Sequence, residues 1–142
     1  MIALDTNALV RLLIEDNEAQ AKAVQQAVLT MENEGRQVVV LPEVLMETVW
    51  VLESVYQCTR KEIASFLENL LSVSTFRLVD ALIIRQAVAQ YKKRGDFADM
   101  VIVGQAKRQQ ARHLLSFDKK LQKLFPGYVV EKIEQENPLS AP

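Results

Sequence analysis

Cysteine and histidine are each present once in 142 residues. A solitary Cys58 excludes an internal disulfide and fits a protein of the reducing cytoplasm. One cysteine and one histidine cannot close a structural zinc site. A lone His113 also removes any ribonuclease chemistry that needs two histidines as acid and base in one chain. A Ser-His-Asp or Cys-His site would have to use His113, which borders an apolar run and is expected at the edge of the core. Glycine is nearly as scarce, at positions 35, 95, 104 and 127. No Gly-x-Gly-x-x-Gly or Walker-type loop occurs, so dinucleotide and P-loop chemistries lack their phosphate cradle. No stretch approaches the roughly 20 apolar residues that span a bilayer. The amino terminus lacks the pattern of a signal peptide. Basic excess is absent too: 17 basic residues face 18 acidic ones, for a net charge of −1. Any nucleic-acid contact must therefore come from a local patch. The segment 92–123 concentrates lysine and arginine, which reads either as solvated helix faces or as a substrate-facing surface.

What is abundant is alternation of strand-like and helix-like segments. Met1–Leu4 is a short apolar run that ends in Asp5, and helix-like spacing follows to Ile14. Ala-rich periodicity over Glu18–Met31 predicts a helix ended by Gly35. Val38–Leu41 is a β-branched run suited to a strand covered on both faces. Pro42 suits the first turn of a helix reaching about Tyr56. Thr59-Arg60-Lys61-Glu62 is a capping box that opens another helix. Thr75–Val79 reads as a strand, Asp80 as the cap of a helix that stops at Gly95, and Asp96 as the start of a helix from Ala98 to about Gln110. His113–Phe117 is a strand ending in Asp118. A short helix over Lys119–Leu124 and an edge strand at Tyr128–Val130 complete the pattern. The expected fold is a single α/β domain over 1–134, with a parallel sheet of four to five strands flanked by helices and a polar tail at 135–142. Trp50, Phe66 and Tyr91 lie on apolar helical faces and are expected in the core or at an interface between copies.

Carboxylates are the chemistry-bearing residues that remain. In open parallel sheets, ligands bind outside the strand carboxyl ends. Asp5 and Asp118 each end a strand. Asp99 lies in the first turn of the helix after Gly95, three residues beyond Asp96. Glu47 sits one turn into the helix after the second strand, and its side chain can lean back toward the same edge. Capping alone accounts for Asp118 and for the Asp96–Asp99 spacing. It does not account for Asp5 before Thr6-Asn7, and Glu47 lies amid Val44, Leu45, Met46, Thr48, Val49, Trp50 and Val51, where a charge needs a partner. Glu43, one turn earlier, could share the role of Glu47. Converging carboxylates repel one another, and a divalent ion with oxygen preference, Mg²⁺ or Mn²⁺, removes that cost. Thr6, Asn7 and Ser116 are short polar neighbours able to hold water or a phosphate oxygen.

In order, Leu4-Asp5-Thr6-Asn7, Met46-Glu47-Thr48-Val49-Trp50, Asp96-Phe97-Ala98-Asp99 and Ser116-Phe117-Asp118 resemble the PIN-domain ribonucleases, and among them the VapC-type toxins of bacterial toxin–antitoxin pairs. The resemblance runs from Met1 to about Val130. It implies a Mg²⁺- or Mn²⁺-dependent endoribonuclease that leaves 3′-hydroxyl and 5′-phosphate ends. It also implies a homodimer and a cognate antitoxin. Asp5, Glu47, Asp99 and Asp118 match the family's metal-site acids, with Asp96 alongside. Arg11, Arg112, Lys119 and Lys120 are the candidate RNA-backbone contacts. A haloacid-dehalogenase-type phosphatase is the enzymatic alternative, but it wants an acid two residues after the first aspartate, where Asn7 stands. A catalytically inactive protein-binding domain is the non-enzymatic one.

Overall fold

The computed structural model describes residues 1–134, so the tail expected at 135–142 lies outside the described residues. Among the described residues, five short strands are separated by seven helices: β1 (Ile2–Ala3), α1 (Thr6–Leu13), α2 (Glu18–Asn33), β2 (Val38–Val40), α3 (Pro42–Ser54), α4 (Arg60–Ser72), β3 (Phe76–Leu78), α5 (Ala81–Lys93), α6 (Phe97–Arg108), β4 (Leu114–Leu115), α7 (Lys119–Leu124) and β5 (Val129–Val130). Every strand pairing is parallel. β2 is the central strand of the larger ladder, with Ile2 opposite Val38 on one side and Val40 opposite Leu78 on the other. β4 and β5 form a separate two-stranded ladder, with Leu114 opposite Val129. The expected α/β fold is therefore present, with its five strands in two ladders.

Burial explains the arrangement. Val38 and Val40 are fully buried, as their unbroken apolar run requires. Leu9, Met31, Leu45, Ile63, Leu67, Ile84, Tyr91, Phe97, Val101 and Leu121 bring one face of each surrounding helix onto the same core. The Thr59–Glu62 capping box forms with both of its hydrogen bonds, 2.9 and 3.1 Å long. Asp80 departs from expectation. It has left-handed backbone angles (φ 57°) and makes no capping bond. Its carboxylate instead pairs with Arg108 at the far end of α6.

That ion pair marks the hairpin of α5 and α6, which positions much of the site. The two helices join through Arg94, Gly95 and Asp96. Gly95 has φ 102°, a conformation that penalises any side chain. Gly104 lets the helices approach closely, since a Cβ there would lie 2.8 Å from Ile83 Cγ2. In α3, Thr48 is fully buried, and its hydroxyl has no hydrogen-bond partner among the described residues.

Two substitutions should move stability in opposite directions. Gly104→Ala overpacks the hairpin and should cost roughly 1–3 kcal/mol. Thr48→Val removes an orphaned hydroxyl at nearly constant volume and should add about 1 kcal/mol. Urea denaturation midpoints at unchanged m-value check both.

Candidate active site

Each acid is delivered by the element it begins or sits on. Asp5 follows β1 and is the N-cap of α1, its Oδ1 accepting from the Ala8 N–H at 2.9 Å. This corrects the expectation that capping does not explain Asp5. Asp96 caps α6 by accepting from the Asp99 N–H at 3.0 Å. Asp118 caps α7, its Oδ1 accepting from the N–H groups of Lys120 at 2.9 Å and Leu121 at 3.2 Å. Capping engages one oxygen of each carboxylate. The other has no hydrogen-bond or ion-pair partner among the described residues.

Asp96, Asp99 and Asp118 line one pocket of about 350 Å³. Asp99 arrives there by way of the α5–α6 hairpin, with no strand directly before its helix. Burial first, then the charges of Asp96 and Asp118, hold the Asp99 carboxyl above the ordinary carboxylate range. Asp5 and Glu47 lie outside that pocket's lining. Their helices are linked to it through packing, since α3 packs against both α1, which Asp5 caps, and α6, which carries Asp99. Glu47 is exposed, as is Glu43 one turn before it. The residues directly around Glu47 in sequence, Leu45, Thr48 and Val49, turn to the buried side of α3, while Trp50 is exposed like Glu47. The expectation that Glu47 sits amid apolar residues and so needs a partner is corrected in its premise, since Glu47 is solvent-exposed.

The supporting residues divide in the same way. Ser116 Oγ accepts from the Asp118 N–H at 3.1 Å, so it holds the backbone that carries the acid. Thr6 and Asn7 open α1 directly after Asp5. The four candidate RNA contacts have different surroundings. Lys120 lines the acidic pocket. Lys119 pairs with Glu131. Arg112 borders a different hollow, beside His113 and Lys132. Arg11 is held within the fold, at 2.8 Å from Asp16 Oδ1, 3.2 Å from the Tyr56 hydroxyl and 2.8 Å from Gln20 Oε1. His113 is exposed, not at the core edge, and its Nδ1 lies 3.1 Å from the Gly127 carbonyl oxygen. Of the three aromatics, Tyr91 is fully buried and Phe66 packs against the core, but Trp50 is 63% exposed.

Two pocket residues escape the sequence reading: Glu53 and Arg60. The Tyr91 hydroxyl donates to Glu53 Oε2 at 3.1 Å, and burial pushes that hydroxyl's pKa well up. Arg60 Nη1 donates to the carbonyl oxygens of Tyr91 (2.9 Å) and Gly95 (2.6 Å), fastening the first turn of α4 to the end of α5. Arg60 follows the capping threonine and looks like any first-turn surface residue, so only the tertiary contacts reveal it.

The donor set is all oxygen, which suits Mg²⁺ or Mn²⁺ rather than a softer metal. Among the described residues, no three acidic, histidine or cysteine side chains are close enough to form a ready-made cage. Mg²⁺ does not require one, since it commonly takes one or two carboxylates and keeps several waters.

This fold and acid arrangement coincide with a match to known proteins. A PIN-domain family profile matches residues 2–124, and the chain belongs to the PIN-domain family. Within it, the chain is similar to a VapC ribonuclease of Aquifex aeolicus (strain VF5), with 30% identity over 125 residues, 87% of this chain and 92% of that protein. No solved structure matches the chain.

The raised Asp99 pKa sets a pH dependence. Between the unfolded value, about 3.9, and the higher folded one, the native state binds more protons than the unfolded state. Asp99's contribution to stability is therefore most favourable below the unfolded value and declines as pH rises through the folded one. Thermal melts in EDTA should show Asp99→Asn melting above wild type at pH 7 and losing that advantage toward pH 4. A variant that melts lower at pH 7 would contradict this account of the pocket.

Proposed function

We propose that this PIN-domain protein is a Mg²⁺- or Mn²⁺-dependent endoribonuclease and the toxin of a type II toxin–antitoxin pair. The observation that carries the reading is the convergence of Asp96, Asp99 and Asp118 on one pocket, with the Asp99 pKa raised by burial and then by the charges of Asp96 and Asp118. A fold gains nothing in stability from such crowding, so a cationic ligand is its natural complement. The similarity to a VapC ribonuclease supports RNA as substrate and an antitoxin protein as partner. Homodimer formation and a cytoplasmic location belong to the same reading. No helix among the described residues is long and apolar enough to cross a membrane.

Asp5, Glu47, Asp99 and Asp118 are the proposed catalytic acids, and with Asp96 they are the proposed metal ligands. A bound ion supplies positive charge at the phosphoryl group and acidifies water for attack at phosphorus. The protein's part is orientation. The capping bonds fix Asp5, Asp96 and Asp118 through one oxygen and present the other, while Ser116 steadies Asp118. Asp99 and Glu47 have no hydrogen-bond or ion-pair partner for their carboxylates among the described residues and are available to a ligand or a water. Attack by water leaves a 5′-phosphate on one fragment and a 3′-hydroxyl on the other.

The test is cleavage of single-stranded and structured RNA by the purified chain. Activity should require Mn²⁺ or Mg²⁺ and disappear in EDTA. Asp5→Asn, Glu47→Gln, Asp99→Asn and Asp118→Asn should each lose roughly 100-fold or more, since even residues behind a metal's direct ligands typically matter 10–100-fold. Glu34→Gln, on an exposed surface pair with Arg36, should be unaffected. Cleavage undiminished in EDTA, or in all four variants, would end the proposal.

A further inference from the structure

The acidic pocket has a wall of opposite sign. Arg60 and Lys120 line it together with Glu53, Asp96, Asp99 and Asp118. An arginine among four carboxylates would ordinarily pair with one of them. Arg60 forms no ion pair among the described residues. Its Nη1 is engaged by the Tyr91 and Gly95 carbonyls, and its Cζ stands 4.5 Å from the centre of the Tyr91 ring. Those contacts hold one end of the guanidinium. Nε and the second amino nitrogen keep donors with no hydrogen-bond partner among the described residues. A guanidinium fixed along one edge and open along another is suited to grip a phosphate, and little further freedom is lost on binding.

Electrostatics gives that open edge a purpose. A strand of RNA entering a carboxylate pocket meets repulsion at every phosphate. An ion held by the acids offsets it at the bond being cut, but the neighbouring phosphate needs a cation of its own. We infer that Arg60, assisted by Lys120, is a phosphate subsite for the RNA phosphodiester adjacent to the one hydrolysed. The inference rests on the ribonuclease reading and extends it to a residue that reading does not use. Because Arg60 also holds the Gly95 carbonyl, the same side chain ties RNA binding to the turn that presents Asp96 and Asp99.

Variants of Arg60 also remove its hydrogen bond to that turn, so the decisive probe is a change in the RNA. A cleavable single-stranded oligonucleotide would be prepared as a set, each member with one neutral methylphosphonate linkage. Binding would be measured by fluorescence anisotropy in EDTA, and cleavage in Mn²⁺, for wild type, Arg60→Lys, Arg60→Gln and Lys120→Gln. One linkage beside the cut should weaken wild-type binding about tenfold, the scale of a hydrogen bond to a charged group. Arg60→Gln should show a similar loss on unmodified RNA and no further loss at that linkage. Its KM should rise with kcat little changed, and the log–log salt slope of binding should shrink by about 0.7, one phosphate contact. Arg60→Lys should fall between.

If no flanking linkage matters to wild type, or if Arg60→Gln keeps the wild-type methylphosphonate profile while kcat and melting temperature fall, Arg60 is a structural clamp only and the inference fails. Wild-type protein that cuts no RNA in Mn²⁺ yet retains the Arg60-dependent linkage effect would overturn the ribonuclease reading and leave the phosphate subsite standing. Wild-type protein that binds none of these RNAs would overturn both.

Discussion

Like charges held together without mutual neutralisation are the constraint around which this molecule is arranged. Asp96, Asp99 and Asp118 share a pocket, where burial and then the charges of the other two acids raise the Asp99 pKa. Something must keep the carboxylates from separating. For Asp96 and Asp118 it is the start of a helix, where unpaired N–H groups and the helix dipole favour negative charge. For Asp99 it is the hairpin of α5 and α6, closed by Gly95 at one end and by the Asp80–Arg108 pair at the other. The buried Tyr91, edge-on to Phe97 at 5.9 Å and beneath the Arg60 guanidinium, anchors the turn between them.

Structural and proposed chemical duties fall on the same side chains. Each capping aspartate uses one oxygen for its helix and keeps one for a ligand, so loss of the acid removes a cap worth about 1 kcal/mol as well as a ligand. In the proposed site, stability and activity are therefore coupled at Asp5, Asp96 and Asp118. Glu47 is the exception: it is exposed on α3 and serves no cap. α3 in turn packs on both α1 and α6, so its placement relates Asp5 to Asp99 across the core.

The basic residues show the reverse economy. Arg11 is bound into a triangle with Asp16 and Tyr56, whose hydroxyl donates to Asp16 Oδ2 at 2.9 Å. Lys119 is taken by Glu131. With a net charge of −1, the protein has no general attraction for a polyanion, and the proposed RNA binding calls for a few cations in defined positions. Lys120 and Arg60 hold such positions at the acidic pocket.

Local signals were sufficient for much of this. The unbroken valines of β2, the Thr59 capping box, the helix stops before Gly35 and Gly95 and the acids at chain turns are all properties of short segments, and they read directly from residue order. The α/β class and the family likeness follow from that order. The rest depended on what distant segments do to one another. Asp5 turned out to be a cap because α1 begins at Thr6, directly after it. Asp80 chose Arg108 over its own helix because the α5–α6 hairpin brought that arginine within reach. Glu47 lies among apolar neighbours in sequence yet outside the core, since helical rotation of 100° per residue sends adjacent side chains to different faces. Residue order alone settled which chemical groups this chain possesses and which secondary elements carry them. Only tertiary packing decided which acids share a pocket, which arginine stands among them and which is occupied elsewhere, because those outcomes depend on how the elements pack, as when Arg60 meets Tyr91 and Gly95.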